Sequence, residues 1–209
     1  MVELLVGMAI ALFITATGAT LLAGNLRESR SLLLEARLMQ DLRTAADMIS
    51  RDLRRAGYWG SATSGVWGAG AIQIDANPYQ GVSPTVASAA EVGFRYSRDA
   101  IENGLVDSNE QFGFRLRSGA IELQLGAGNW QALTDAGTMI VTGFDVTPSV
   151  QDIELQGFCP TDCPVGSTTC PPRQQVRSLA LVISGRLASD ARVTRSVRGN
   201  VRLRNDPVT

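Results

Sequence analysis

Histidine and lysine are both missing from this chain of 209 residues, whose 19 basic side chains are all arginine. Without histidine there is no Ser-His-Asp or Cys-His arrangement and no HExxH zinc site. Without lysine there is neither a Walker A loop nor a Schiff-base nucleophile. Most common catalytic devices are thereby excluded, so the chain is read as no enzyme, with no catalytic residue, no cofactor and no metal site expected. Cysteine is scarce as well: Cys159, Cys163 and Cys170 all fall within CPTDCPVGSTTCPPR. Zinc normally takes four ligands, so a site here would need a carboxylate such as Asp162. A disulfide pinning this proline-rich loop suits an exported domain better, and loop length allows Cys159 with Cys170 or Cys163 with Cys170. One thiol is left over, and connectivity stays open.

Proline is absent before Pro78, and charge is absent from Leu4 to Gly24, a run that follows a single glutamate, Glu3. Twenty-one uncharged residues are enough to cross a bilayer as a helix, which needs about 20. A cleaved secretory signal would begin with basic residues, carry a shorter apolar core and end at a small-residue site, so this segment reads as retained. Apolar residues then continue at helical spacing through Leu38, Leu42, Ala45, Ala46, Ile49, Leu53 and Ala56. One helix of roughly 80 Å is expected to about Ala56, apolar all round in its first half and amphipathic in its second. Alternating charges from Arg27 to Arg55 read as a solvated face with i,i+4 pairs such as Asp47 with Arg51.

The length allows this helix and one further domain, giving three segments: 1–24 for the membrane or fibre core, 25–57 for the amphipathic half, and 58–209 for a β-rich head. Charge is uneven, with an acidic middle and a basic tail that should attract each other. Residues 57–81 read as a long ordered loop with a short strand at 71–74, the helix ending at Gly57. Period-two alternation then marks strands through Val92, Phe94 and Tyr96, through Phe112, Phe114 and Leu116, and through Ile121, Leu123 and Leu125. Ser118 and Gly119 predict a two-residue hairpin joining 111–117 to 120–125. Further strands are expected at 139–146, at 178–183 as a central strand, and at 193–203. The fold class is α+β, a long N-terminal helix packed on an antiparallel sheet of about five or six strands. The arginine row Arg195, Arg198, Arg202 and Arg204 reads as a guarded strand face rather than a nucleic-acid stripe, since no aromatic residue is interleaved. Asp99, Glu102, Asp107 and Glu110 read as a solvated acidic loop rather than a calcium or glycosidase site.

The start MVELLVGMAIALF resembles the N-terminal region of type IV pilins and type II secretion pseudopilins. Of that family's Phe-Thr-Leu/Met-Val/Ile-Glu motif, the last three positions match, as Met1, Val2 and Glu3, which implies that the chain as given starts two residues inside the mature protein. RDLRRAGYWG at 51–60 and VRLRND at 201–206 resemble the helix exit and last strand of PilW-type minor pilins, although Ser61 stands where many of those have cysteine.

The resemblance implies a pilin-like fold and a structural minor pilin, held in the inner membrane with a periplasmic head and later assembled into an extracellular pilus, priming assembly and sitting in the tip complex. Its partners would be other minor pilins, the major pilin, a tip adhesin, and prepilin peptidase acting on the precursor, with no nucleic acid bound directly. A glutamate beside an apolar helix is expensive in lipid unless paired. The resemblance gives Glu3 the role of meeting a neighbour's N-terminal ammonium and setting axial register. Leu4, Leu5, Val6, Ile10, Leu12, Phe13 and Ile14 would hold the membrane and then pack in the fibre core, with Gly7, Gly18 and Gly24 permitting close helix approach. The alternatives are a J-type minor pseudopilin of type II secretion and a single-span protein with a periplasmic ligand-binding domain.

Overall fold

The structure is a computed structural model and describes residues 2–65, 75–158, 163 and 171–208. A single helix, α1, runs from Val2 to Leu53 without interruption, as a chain free of proline and rich in Leu, Ala and Arg permits. Its C-terminal part carries six of the seven residues that the 3.6-residue period singles out and the turn after it the seventh, and Leu38, Leu42, Ala45, Ala46, Ile49, Leu53 and Ala56 are all buried. The helix gives way to turns at 54–57, and Gly57 takes φ +77°, the left-handed conformation in which glycine commonly ends helices.

Among the described residues eight strands follow, all antiparallel: β1 (Val82–Ser83), β2 (Glu91–Arg95), β3 (Gln111–Arg117), β4 (Ala120–Leu125), β5 (Trp130–Ala132), β6 (Met139–Glu154), β7 (Arg173–Leu187) and β8 (Thr194–Arg202). The long helix on antiparallel strands is the α+β arrangement expected. The strands divide into two sheets, one with order β1-β2-β3-β4-β5 and one with order β6-β7-β8. The predicted hairpin is present with Arg117 opposite Ala120, and its turn residues Ser118 and Gly119 have φ of +51° and +78°. Two successive positive φ values mark the turn type whose twist matches that of the strands it joins.

The sheets meet along the first half of β6. Ala89, just ahead of β2, exchanges both backbone hydrogen bonds with Val146 (3.1 and 2.9 Å), and Val141 donates to the Gly119 carbonyl in the hairpin turn (2.8 Å). A bulge between Val141 and Gly143 shifts the β6 register there. β7 lies between β6 and β8, and in the run 178–183 Leu179, Leu181 and Ile183 are buried while Ala180 is exposed. β6 and β7 extend further than the sequence pattern predicts: their outer ends, 150–154 and 173–177, pair with each other, and Gln174 and Gln175 also pair with the C-terminal residues Val208 and Pro207.

One core joins these elements: the buried stripe of α1 contacts β7 and β8, and the same cluster includes Phe94, Phe112 and Phe114 of the larger sheet. Phe94 stacks with Phe112 and Phe114 at centroid distances of 5.9 and 6.1 Å. Close approach of helix to sheet depends on Gly185 of β7, where a β-carbon would lie 3.2 Å from Leu42 Cδ2 and 3.3 Å from the Ile140 carbonyl oxygen. On the opposite face of the larger sheet, Arg115 bonds Glu122 (2.7 Å), its registered cross-strand partner, and lies 3.9 Å over the Trp130 ring.

Candidate assembly interface

From Val2 to Leu33 no residue of α1 is covered by the rest of the chain, so about 48 Å of helix stands free at roughly 1.5 Å per residue. Leu4 is 70% exposed, Phe13 77% and Leu33 72%. Leu4, Leu5 and Val6 occupy successive positions 100° apart, and Ile10, Leu12, Phe13 and Ile14 repeat that spread, so the apolar surface encircles the rod. A soluble head with such a rod must place it in lipid or among other helices. The helix is long and apolar enough to cross a membrane.

The polar groups within the rod are satisfied internally. Thr15 Oγ1 lies 3.0 Å from the carbonyls of Ala11 and Leu12, Thr17 Oγ1 2.8 and 2.9 Å from those of Phe13 and Ile14, and Thr20 Oγ1 2.8 Å from that of Thr17. Each hydroxyl thus donates back into its own helix, which removes most of the penalty of carrying it into an apolar medium. Glu3 is exposed on the first turn, and no other described residue of the chain bonds it. Gly7, Gly18 and Gly24 have open space around them, leaving room for another backbone to come close.

At the other end of α1 the chain locks the helix to the head through residues far apart in sequence. Asn205 Nδ2 donates to the carbonyls of Ala56 (3.0 Å) and Arg55 (3.3 Å) at the helix end, the second of which also accepts from the Tyr58 N–H (3.0 Å). Asn77 Nδ2 donates to the Gly57 carbonyl (2.8 Å), and Gly57 N–H donates to that of Arg95 (2.8 Å). Arg177 Nη2 reaches the Asn205 carbonyl at 3.1 Å, and Nη1 bonds that of Gln80. Burial pulls the Arg177 guanidinium below its usual value, and Asp206 opposes that shift. The segments 51–60 and 201–206, distant in sequence, therefore form one joint.

The acidic loop is part of the same joint, contrary to the solvated reading. Burial raises Glu102, yet hydrogen bonds from Ser97, the backbone N–H groups of Gly104 and Gly60, and Tyr79 more than offset it and hold the carboxyl below 4.5. Tyr79 is fully buried, and its hydroxyl, 3.0 Å from Glu102 Oε1, is pushed well above 10 by burial and by that carboxylate. Glu110 is equally buried and accepts from the N–H groups of Arg98 (2.7 Å) and Asp107 (2.9 Å). Glu102→Gln keeps the shape but offers one accepting oxygen instead of two, and is expected to cost about 1–2 kcal/mol of stability. The Glu102 carboxyl is depressed on folding, so its contribution is complete above 4.5 and is lost as pH falls through its lower folded value. Tyr79 is raised, so its contribution is complete below 10 and fades as pH climbs beyond. Thermal melts across pH 2–5 should show a shallower slope for the variant, and an unchanged slope would show that Glu102 is not the group responsible.

Of the arginine row, Arg195, Arg198 and Arg202 lie on β8, an edge strand as expected, and Arg204 lies just beyond it, but the acidic middle does not neutralise the row. Arg195 pairs with Glu35 of α1, and Arg202 with Asp206 (3.0 Å). Attraction between middle and tail is represented among the described residues by Arg173 with Glu154 (3.1 Å). Cys163 is disulfide-bonded. Cys159, Cys170 and Asp162 lie outside the described residues, as does the strand expected at 71–74.

Sequence reasoning missed the joint between Asn205, Arg177, Tyr79 and Glu102, for which only Gly57 gave a local signal. Residues 31–203 match the model of a protein family described as prepilin peptidase-dependent protein B. No curated protein and no solved structure matches the chain.

Proposed function

The chain belongs to the prepilin peptidase-dependent protein B family and is thereby pilin-related, and from this we propose that it is a non-enzymatic minor pilin of the PilW type. Prepilin peptidase trims the precursor, the apolar rod holds the subunit in the inner membrane with its head in the periplasm, and the rod then packs among other pilin helices as the subunit joins the pilus. There it helps prime assembly and stands near the tip beside other minor pilins. The observation that carries this reading is the rod itself: Val2 to Leu33 exposed on every face, with its threonines bonded inward and one carboxylate at its start. An ordinary anchor needs no carboxylate at its edge, whereas a subunit that must register against a neighbour's ammonium does. Glu3 takes that role, and Leu4, Leu5, Val6, Ile10, Leu12, Phe13 and Ile14 form the packing surface.

The test is fractionation of cells with and without prepilin peptidase. The subunit is expected in sheared pili and membranes when the peptidase is present and in membranes alone when it is deleted. Recovery from membranes alone in both strains would overturn the pilus assignment, and loss of type II secretion in the deletion of this chain would move it to the J-type pseudopilins.

A further inference from the structure

A cleft of about 660 Å³ opens where α1 leaves the head, lined by Arg51, Arg54 and Arg55 from the helix end, Arg204 from the C-terminal segment, and Tyr58 and Tyr96. Arg51, Arg54 and Arg204 are exposed and have no ion pair or side-chain hydrogen bond among the described residues, while Arg55 stands 4.0 Å from Asp52. Arg115 and Arg202, by contrast, are paired closely with Glu122 and Asp206. Several guanidiniums sharing one concavity, with Asp52 as the carboxylate beside them, create a focused positive potential. The negative end of the helix dipole offsets part of their mutual repulsion. Arg51, Arg54 and Arg55 stand at i, i+3 and i+4, hence on one face within about 6 Å of helix axis. Their planar forks fit carboxylates bidentately.

We infer that this cleft receives a cluster of carboxylate side chains from a neighbouring subunit, an inference that rests on the fibre reading above. A nucleic acid would need a basic stripe that follows its backbone, and the β8 row that could extend the cleft is interrupted because Arg195 and Arg202 are held by Glu35 and Asp206. A compact cleft suits a few side chains. The complement exists within the chain itself, since residues 75–158 carry eleven acidic and four basic side chains. A head that is basic at the helix exit and acidic in its body can meet its neighbours head to tail, the kind of contact that builds open filaments.

The test uses the full chain in detergent micelles, titrated with a synthetic peptide of alternating glutamate and glycine and, separately, with a short DNA duplex. The peptide should bind saturably and less tightly as salt rises. Arg54→Glu with Arg204→Glu should weaken it about tenfold or more. Arg198→Glu, an exposed change on β8 outside the cleft, should leave it unchanged. Thermal melting checks that the double variant still folds, and Arg54→Lys with Arg204→Lys should retain most of the binding. Absence of saturable binding, an equal loss in Arg198→Glu, or tighter binding of the duplex than of the peptide would overturn the inference. No fibre is needed for this assay, so a failure of the cleft and a failure of the pilus assignment give separate results.

Discussion

Replacing Glu3 by alanine is expected to leave the protein in the membrane and to abolish its incorporation into pili. The substitution removes the one charge at the edge of an otherwise uncharged run, so anchoring should if anything strengthen. Assembly is different. If Glu3 meets the ammonium of a neighbouring helix inside an apolar fibre, removing the carboxylate strands that ammonium without a partner, which costs about 3–5 kcal/mol. A loss of about 3 kcal/mol corresponds to more than a hundredfold in the assembly equilibrium. Immunoblots of membrane and sheared-pilus fractions read both effects at once. Glu28→Ala serves as the control, because Glu28 is exposed beyond the apolar run and outside the pairing. Wild-type levels of the Glu3 variant in pili would rule out the register role.

Leu42→Ala should produce a large loss of head stability. Leu42 is fully buried, and it sits where α1 comes closest to β7 at Gly185. Truncation removes its apolar burial and leaves a void between a rigid helix and a rigid sheet that cannot close over it, about 3 kcal/mol in all. For a chain of this size that lowers the melting temperature by about 10 °C. Leu12→Ala, in the exposed rod, should leave melting in micelles unchanged. Equal effects of the two substitutions would mean that the rod and the docked stripe are not energetically separate.

That separation was visible in the sequence because it is written in periodicity. All seven residues of the helical stripe are buried, and the hairpin at Ser118 and Gly119 folds as its two turn residues require. Alternation located β2, β3 and β4, and the apolar run 178–183 located the central part of β7, for the same reason: each has at least one face in the core. It failed where burial does not impose a period. β1 has two residues and β5 three, too few for any pattern, while the outer end of β6 is exposed and that of β7 is half-buried beside both β6 and the C-terminal residues Pro207 and Val208. The junction of the two sheets depends on contacts such as Ala89 with Val146, which leave no local trace. The acidic loop was misread because composition records charge and not what a carboxylate accepts. Glu102 and Glu110 gather the backbone N–H groups of Gly60 and Arg98, which the fold brings near, beside the local ones of Gly104 and Asp107. The cleft was likewise invisible, since Tyr58, Tyr96 and Arg204 are neighbours in space alone. Of the assembly residues, the apolar set was legible as a run, and the role of Glu3 came from resemblance.

The free length of α1 also fixes a height. With Leu4 to Gly24 spanning the hydrocarbon, about 31 Å of rod is used, close to the thickness of that layer. Asn25 to Leu33 then forms a stalk of about 14 Å before the first covered residue, Leu34. The headgroup layer takes up only about half of it. Arg27 and Arg30 lie at that depth, within reach of lipid phosphates. The head is thus lifted clear of the bilayer surface, and two subunits diffusing in the plane of the membrane can bring their heads together at matched heights with no lipid between them.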